Sequence, residues 1–160
     1  MSKTLEERFW EKIDRSGGED SCWIFTGAKA KGYGRTGWRD AGGRSVTRSA
    51  HRISYELCVG PIPDGVLLDH VCQIRACCNP RHLRPVTAAQ NLQNLSGAHR
   101  DSRTGVRGVW WDSGRNYFRA AVMVSGRRIY LGPFKTLSEA EQAVVLARRE
   151  VHPFSEMDRR

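Results

Sequence analysis

Residues 67–91 read LLDHVCQIRACCNPRHLRPVTAAQN and gather cysteine, histidine and asparagine side chains into a short segment. Within it, Cys72, Cys77 and His82 follow the spacing C-x4-C-x4-H, and Pro80 and the lack of hydrophobic periodicity predict an irregular loop. Thiolate and imidazole groups are zinc ligands, and a loop with little core of its own gains folding energy from a bound metal. The spacing therefore predicts a structural Zn2+ site.

A closed tetrahedral zinc site needs a fourth ligand. Cys22 is the best candidate, because it lies beside Trp23 ahead of a predicted hairpin from which the chain could return to the loop. Cys58 falls on the apolar face of a predicted helix and is interpreted as a small core residue. Cys78 points away from Cys77 in any extended geometry. A set of buried free cysteines is the alternative interpretation.

The composition sets limits on the class of protein. The chain has 160 residues with 26 basic and 17 acidic side chains, a net charge of +9 and five cysteines. This length allows one ordinary domain or two small ones. No apolar stretch approaches the roughly 20 residues that cross a bilayer, and residues 1–13 lack the apolar core of a signal peptide. We therefore expect a cytoplasmic protein without a membrane span, whose cysteines are metal ligands or core residues rather than disulfides.

The positive charge is concentrated in two stretches of the chain. Residues 29–52 contain seven basic residues against one acidic residue, a net charge of +6. Residues 104–135 contain six against one, a net charge of +5. Both stretches are interleaved with aromatic residues and glycines, which predicts two surfaces that follow a phosphate backbone. A surface that is merely solvated is the alternative.

Hydrophobic periodicity predicts an α+β chain in which helices alternate with short strands. The predicted helices run from a Thr4 cap to about Asp14, over residues 50–58 after a Ser49 cap, and from a Thr87 cap to about Leu95. Glycines break residues 23–47 into short hairpin strands, and residues 66–71 form a further strand. The segment from there to Pro85 is expected to be irregular.

A second pattern begins after a polar linker at residues 97–106. Three strand-like runs follow at residues 108–111, 117–124 and 127–134. The next helix has Ser138 and Glu141 as its predicted capping box. Three antiparallel strands packed on one helix make a complete small fold, so we predict domains over residues 1–96 and 107–152, with a tail over 153–160.

Asp69 and His70 lie at the end of the predicted strand at residues 66–71, and Asn91 lies on the predicted helix after the loop. Phosphodiester hydrolysis needs a base to deprotonate water, a cation that stabilises charge on the phosphate, and positive side chains nearby. His70 supplies a base that is neutral near pH 7. Asn91 and Asp69 offer hard oxygen ligands that suit Mg2+. Arg35 or Arg52 is expected to face the scissile phosphate.

The segment quoted at the outset resembles the HNH, or His-Me finger, nuclease motif in the zinc-stapled form of His-Cys box homing endonucleases and many phage-encoded HNH enzymes. CWIFTGAKAKGYGR (residues 22–35) and AHRISYELCVGPIPDG (residues 50–65) resemble the segments that precede the motif in such phage proteins. The resemblance covers residues 22–95. It implies a zinc-stapled ββα nuclease core with an N-terminal hairpin and helices.

The resemblance also implies roles for single residues. His70 is the general base, Asn91 is the magnesium ligand, and the structural zinc ligands are Cys22, Cys72, Cys77 and His82. In other HNH enzymes a histidine at the last motif position binds the catalytic cation, so His82 has two candidate roles. We favour zinc, because the spacing from Cys77 to His82 completes the ligand set. Asn79 is expected to brace the loop by hydrogen bonding to the backbone around His70.

Residues 107–150 resemble the DNA-binding domain of plant ethylene-response factors, which is also appended to phage HNH endonucleases. The resemblance implies a sheet that enters the major groove with five DNA-facing residues: Arg107, Trp110, Arg119, Arg128 and Tyr130. The position of Trp110 is commonly arginine in the plant proteins. Arginines that alternate with apolar residues on strands are suited to phosphates and guanine edges. Further DNA contacts are expected from the first basic stretch, at Arg35, Arg39, Arg44 and Arg48.

These features predict a Mg2+-dependent DNA endonuclease of the phage-encoded homing type, which cleaves double-stranded DNA by single-metal hydrolysis. If phage-encoded, it would act in the cytoplasm of a bacterial host. The alternative is a non-catalytic, zinc-stabilised DNA-binding protein such as a regulator. The presence of both His70 and Asn91 favours the enzyme, because a binding module has no use for that pair. The sequence leaves open whether the protein is a monomer or a homodimer.

Overall fold

The computed structural model describes residues 3–39, 42–95 and 97–159, without the side chains of Trp38 and Arg39. The chain forms two compact units, Met1–Ala88 and Ala89–Arg160. Both units combine helices with strands, which confirms the predicted α+β class. In the described part of the chain, none of the helices has the length and apolar character that a bilayer crossing requires.

The helices of the first unit are α1 (Leu5–Trp10) and α2 (Ala50–Cys58), and a short 3-10 helix spans Pro80–His82. Its strands are β1 (Ile13–Asp14), β2 (Ile24–Phe25), β3 (Lys29–Ala30), β4 (Tyr33–Arg39), β5 (Ser45–Ser49), β6 (Leu67–His70) and β7 (Leu83–Val86). Within the described residues, these strands form three small antiparallel sheets with the orders β1-β2, β3-β4-β5 and β6-β7.

Helix α1 begins where the sequence predicts and ends earlier. Thr4 caps it in a capping box with Glu7, which satisfies backbone groups at the helix start. The helix was predicted to reach about Asp14, but it ends at Trp10 because Ile13 pairs with Phe25 across β1 and β2. Pairing with a distant strand thus overrides the local helical pattern. Helix α2 has the predicted bounds.

The core of the first unit forms where α1, β2 and α2 meet. It consists of the buried residues Phe9, Ile13, Phe25, Ala50 and Cys78, with Trp10, Trp23 and Ile53 packed against them. The Phe25 ring lies so close to β4 that a Cβ at Gly34 would come within 2.7 Å of it and 2.9 Å of the Ala50 Cβ. Glycine at residue 34 therefore lets β4 approach this core.

Strand β6 has a partner that the sequence analysis missed. Leu67 pairs with Val86 and His70 with Leu83 in an antiparallel ladder, so the expectation of an irregular segment as far as Pro85 was wrong. Pro85 argues against a strand, but a two-stranded sheet has edges on which a missing backbone N–H is tolerated. Leu83 and Val86 are buried, which holds β7 in place.

The second unit contains a three-stranded antiparallel sheet in the order β10-β9-β8, packed on one helix as predicted. Its elements are α3 (Ala88–Gln93), β8 (Val109–Asp112), β9 (Tyr117–Val124), β10 (Arg127–Phe134) and α4 (Leu137–Val151), with α3 beginning at the boundary between the units. Val109, Ala120 and Val122 pack against Ala140 and Val144 of α4. The α4 capping box uses Thr136 and Glu139, two residues before the predicted pair.

The boundary between the units lies N-terminal to the linker expected at residues 97–106. Residues 89–95 were assigned to the first domain, but they hydrogen-bond within the second unit. The Phe154 amide donates to Gln93 Oε1 at 3.3 Å, and the Glu156 amide donates to Asn94 Oδ1 at 3.2 Å. Residues 153–159 are therefore part of the fold, although the sequence predicted a tail there.

A buried ion cluster joins the end of the chain to α4. Arg148 and Asp158 are only 8% and 7% exposed, and their closest N–O distance is 2.7 Å. Arg107 donates to the same carboxylate at 3.1 Å, and Ser155 Oγ also contacts it. Burial raises the pKa of Asp158, but the hydrogen bonds from Arg148 and Ser155 and the two arginine charges outweigh it and hold this pKa below its usual value.

We expect Asp158→Asn to lower the free energy of unfolding of the second unit by about 3–5 kcal/mol at pH 7, because the arginines lose a buried partner. Since the pKa of Asp158 is depressed, its stabilisation is present above the usual carboxyl pKa of about 4 and is lost at lower pH. Urea unfolding followed by tryptophan fluorescence measures both effects. Asp101→Asn, which changes an exposed carboxylate, is the control. Equal losses for the two variants would contradict the role of the cluster.

Candidate active site and metal centre

The four predicted zinc ligands converge in the first unit. The ligand atoms of Cys22, Cys72, Cys77 and His82 all lie within 4.8 Å of one another. His82 Nδ1 is 3.4 Å from the Cys22 Sγ and 3.6 Å from the Cys77 Sγ. Ordinary zinc bond lengths and tetrahedral angles would separate such nitrogen and sulfur atoms by about 3.5 Å. The cluster therefore has the donors and the dimensions of a closed tetrahedral metal site.

Backbone pairing brings Cys22 to a loop that lies fifty residues later in the sequence. Ile24 forms a bridge with Cys77. Two hydrogen bonds flank this bridge, from the Phe25 amide to the Ala76 carbonyl at 2.9 Å and from the Cys78 amide to the Trp23 carbonyl at 2.7 Å. Cys78 itself faces the core, in agreement with the prediction that it does not share an ion with Cys77. Cys58 was expected in the core but is exposed.

A second set of hydrogen bonds orients the ligands of the cluster. His82 Nε2 lies 3.0 Å from the Asp20 carbonyl, so a proton on Nε2 leaves Nδ1 for a metal ion. The fully buried Asn79 donates through Nδ2 to the carbonyls of Glu19 and Ser21, both at 2.7 Å. Asn79 was expected to brace the backbone around His70. Instead it ties the loop to the segment that carries Cys22.

The thiols of the cluster influence one another strongly. The hydrogen bond from Cys77 lowers the pKa of Cys72 to about 5. The same interaction, together with burial, raises the pKa of Cys77, and burial raises that of Cys22. These interactions favour the thiolate form at Cys72 over the thiolate forms of Cys22 and Cys77. A divalent cation at this position would favour the thiolate form of all three cysteines.

His70 lies at the end of β6 and is only 7% exposed. Its Nε2 is 3.1 Å from the Cys77 carbonyl, so the residue that offers a thiol to the metal cluster also fixes the ring of His70. A second link joins the same segments, because the Val71 amide donates to the His82 carbonyl at 3.0 Å. Burial lowers the pKa of His70, and its hydrogen bond to Cys77 opposes this.

Asp69 precedes His70 and is also buried, at 6% exposure. Arg84 of β7 lies directly across the ladder from it. The Arg84 guanidinium contacts Asp69 Oδ2 through Nε at 3.0 Å and through Nη2 at 2.9 Å. This pairing fixes the orientation of the carboxylate next to His70.

Two aromatic neighbours of His70 were not identified from the sequence. The rings of His51 and Tyr33 have centroids 4.8 Å and 5.8 Å from that of His70, and 5.7 Å from each other. Burial lowers the pKa of His51 to about 3, with further contributions from the charges of His70 and Arg52. Within the described part of the chain, the buried His51 Nδ1 has no hydrogen-bond partner. No spacing signal connects α2 to the motif, so only the fold reveals this contact.

The arginines of the first basic stretch have different surroundings. Arg52 donates to the Val66 carbonyl at 3.3 Å, and Arg48 forms an ion pair with Glu56 of α2. Arg35 is exposed and donates to Ser49 Oγ at 3.2 Å. Arg44 is exposed, whereas the side chain of Arg39 lies outside the described residues. Their DNA contacts stay predictions, and Arg48 and Arg52 already have partners within the protein.

Four of the five predicted DNA-facing residues of the second unit come together on the sheet. The rings of Trp110 and Tyr130 are 6.2 Å apart. The Arg119 guanidinium lies 5.7 Å from the Tyr130 ring, and that of Arg128 lies 5.9 Å from the Trp110 ring. The core residues Val109, Ala120 and Val122 occupy the alternate strand positions, so these four side chains share the face opposite α4. We call this surface the outer face.

The fifth residue, Arg107, has a different role. Its guanidinium donates to the Gln93 carbonyl at 3.0 Å and to the Leu95 carbonyl at 3.2 Å, in addition to the Asp158 carboxylate. Only 19% of this side chain is exposed. These contacts argue against the predicted DNA contact, because the guanidinium would have to leave them to reach a phosphate. Asn91 lies half-buried on α3 in this unit, and its convergence with His70 stays a prediction.

Comparisons with known proteins point to the same region of the chain. Residues 48–93 match a family model described as HNH endonuclease. Protein 7.7 of Escherichia phage T7 is 36% identical over 77 residues, which cover 48% of this chain and 55% of the relative. An uncharacterized gene 5.3 protein of Enterobacteria phage T3 is 53% identical over 42 residues, which cover 26% of this chain and 42% of the relative.

The similarity is partial in extent. The chain spans about half the length of the curated relatives it matches. No solved structure gives a significant match. The residues that match the HNH model include His70 and three members of the metal cluster, Cys72, Cys77 and His82. The comparisons therefore show a segment similar to HNH endonucleases at residues 48–93 and a partial similarity of the chain to two phage proteins.

Proposed function

We propose that this protein is a DNA endonuclease that hydrolyses phosphodiester bonds with His70 as its general base. The observation that carries the proposal is the fixed ring of His70, whose Nε2 meets the Cys77 carbonyl inside the HNH segment. A proton on Nε2, donated to that carbonyl, leaves Nδ1 as the nitrogen that can take a proton from water. A neutral imidazole with a fixed orientation is suited to that task.

The catalytic core is proposed to be a His-Me finger, in which two strands and a helix carry the site. The antiparallel pairing of β6 with β7, followed directly by α3 in the chain, supports this ββα order. The HNH match extends over all three elements. His70 ends the first of these strands.

A catalytic Mg2+ is proposed at Asp69 and Asn91. Carboxylate and amide oxygens are the hard donors that Mg2+ prefers. Asp69 directly precedes His70 in the chain and forms an ion pair with Arg84, and Asn91 lies within the HNH segment. When bound, Mg2+ supplies positive charge that stabilises the phosphate and the leaving oxygen.

The proposed hydrolysis needs few groups of the protein. His70 takes a proton from water, and the water oxygen forms a bond to phosphorus. The bond from phosphorus to the 3′ oxygen breaks, and the leaving oxygen takes up a proton from solvent. Arg35 remains a candidate for contact with the scissile phosphate, because it is exposed on β4.

The Cys3His cluster is proposed to hold a structural Zn2+. The tetrahedral dimensions and the hydrogen bond of His82 Nε2 support zinc rather than the catalytic cation as the partner of His82. A closed four-ligand site has no open position for a reacting group, so the ion would act on folding.

The outer face of the second unit is proposed to bind double-stranded DNA, in the manner of the ethylene-response-factor domain that it resembles. The exposed Arg128 and the half-buried Arg119 lie over aromatic rings and provide both charge and a preorganised surface. The HNH segment and the phage relatives further support a phage-encoded nuclease, and the proposed biological role is that of a homing endonuclease.

We expect the purified protein to contain one zinc ion, measured by elemental analysis. Cys22→Ser should lose the ion and unfold the loop, because structural zinc contributes on the order of 10 kcal/mol or more to folding. Cys58→Ser, which changes an exposed cysteine outside the cluster, should keep the zinc. Full zinc content in Cys22→Ser would contradict the ligand set. If His82→Ala kept zinc and fold but lost cleavage, His82 would belong to the catalytic cation.

We expect the protein to cleave supercoiled plasmid or phage DNA in the presence of Mg2+, and His70→Ala to slow cleavage by about 100-fold or more through loss of the general base. Asn91→Ala should cause a comparable loss. Gel electrophoresis measures cleavage, and a mobility shift in EDTA measures DNA binding. His99→Ala, which removes an exposed histidine of the second unit, is the control.

The same experiment distinguishes the proposal from a non-catalytic DNA-binding protein. If the protein is an endonuclease, the His70→Ala variant should lose DNA cleavage but keep its zinc and its DNA binding. If wild type and His70→Ala both bind DNA and both leave every tested DNA intact, the binding protein is the correct description.

We expect Arg128→Ala to weaken DNA binding and to reduce the slope of log K against log salt by about one, because one phosphate contact is lost. Arg127→Ala is a matched control, since the neighbouring strand position points to the other face of the sheet. Fluorescence anisotropy with labelled duplex DNA at several salt concentrations measures the slope. Equal effects of the two substitutions would contradict DNA binding by the outer face.

A further inference from the structure

An exposed arginine of the metal-binding loop is held next to the ring cluster of His70. Arg75 lies between His70 and Cys77 in the sequence, on the loop that the Cys3His cluster organises. Its guanidinium carbon is 5.5 Å from the centroid of the Tyr33 ring. The Tyr33 ring in turn lies 5.8 Å from the ring of His70. One aromatic ring therefore separates a positive charge from the proposed general base.

Two contacts fix the position of this charge. Besides stacking on Tyr33, Arg75 donates from Nη1 to the Lys31 carbonyl at 3.1 Å. That carbonyl belongs to the tight turn between β3 and β4, where Lys31 and Gly32 have positive φ values of 52° and 86°. A Cβ at residue 32 would come within 3.3 Å of the Arg75 Cδ, so this turn accommodates the arginine with a glycine.

Among the residues that the structure describes, the contacts of Arg75 leave most of its N–H donors for a ligand. A guanidinium has five N–H donors, and the bond to Lys31 uses one. The side chain is exposed, whereas the neighbouring Arg84 is paired with Asp69 and Arg52 is bonded to the Val66 carbonyl. A stacked, planar guanidinium loses little further freedom when it binds a phosphate.

We propose that Arg75 binds a backbone phosphate of the DNA next to the phosphate attacked by the water that His70 activates, and that Tyr33 is its positioning residue. This inference rests on the proposed function, because it assumes that DNA occupies the site at His70. The chemistry recognised is a phosphodiester anion, and the contact carries no base specificity. Arg75 thereby fixes the position of the DNA strand relative to His70, the proposed general base. This position aligns the reacting phosphate with its attacking water.

The test uses the zinc-loaded 160-residue protein with the substitutions Arg75→Gln and Arg75→Lys. Glutamine keeps an N–H donor for the Lys31 carbonyl but removes the charge, whereas lysine keeps the charge without the planar fork. Arg8→Ala is the matched control, since it removes one exposed positive charge from α1 of the same unit. Zinc content and circular dichroism verify that each variant is folded.

Arg75→Gln is expected to reduce the salt slope of DNA binding by about one and to lower kcat/KM by about 10- to 100-fold at 0.15 M salt. Arg75→Lys should recover the slope but only part of kcat/KM. Tyr33→Phe should behave like wild type, because the ring remains, and Tyr33→Leu should lower kcat/KM with an unchanged salt slope. Arg8→Ala should leave kcat/KM unchanged.

The outcomes separate this inference from the proposed function. If His70→Ala abolishes cleavage while Arg75→Gln keeps the wild-type slope and kcat/KM, the phosphate contact is refuted and the nuclease stands. If Arg75→Gln and Arg8→Ala cause equal losses, Arg75 contributes only general charge and the inference is again refuted. If the wild type fails to cleave any DNA, the proposed function is refuted. The inferred contact of Arg75 with a phosphate next to the reacting one is then refuted as well.

Discussion

Cys77 connects the metal cluster to the proposed general base. Its thiol lies among the ligand atoms of Cys22, Cys72 and His82, and its carbonyl meets Nε2 of His70. Because both groups belong to one fully buried residue, any movement of the metal-binding loop also moves the acceptor that orients the imidazole. A metal ion at the cluster would therefore act on catalysis through geometry, at a distance from the reacting atoms.

The strength of this connection comes from contacts distant in the sequence. The backbone bridge of Ile24 with Cys77 and the hydrogen bonds of Asn79 to residues 19–21 close loops of more than fifty residues. Such closures are entropically costly in a chain with a small core, and a bound metal offsets that cost. A metal ion bound at the ligand cluster would thus add to the stability that the apolar core gives the first unit.

The sequence predicted the parts of the site that depend on local spacing. The C-x4-C-x4-H loop, the strand that ends at His70 and the choice of Cys22 over Cys58 and Cys78 agree with the ligand cluster. It did not predict β7, because Pro85 argues against a strand when only the sequence is considered. It also did not predict the partners of Asn79, which lie about sixty residues away in the sequence. It also missed His51, since the packing of one ring on another across separate elements leaves no periodic signal.

The roles of the basic residues could also be predicted only in part from the sequence. The number of basic residues predicted two DNA-binding surfaces, but it could not show which arginines form ion pairs within the protein. Arg107, Arg148 and Arg84 pair with buried carboxylates. Arg119 and Arg128 instead lie over aromatic rings of the outer face, and Arg119 also forms a longer ion pair of 3.7 Å with the half-buried Asp112. Only the positions of their carboxylate and aromatic partners separate these two uses of the same side chain.

The most direct test of the account is the tautomer of His70 with and without metal, read from the 15N chemical shifts of its imidazole. We expect the metal-loaded protein to hold a neutral ring with the proton on Nε2, donated to the Cys77 carbonyl, and the metal-free protein to lose this preference. The same tautomer in both states, or a proton held on Nδ1 in the metal-loaded protein, would contradict the claim that the Cys3His cluster orients the base.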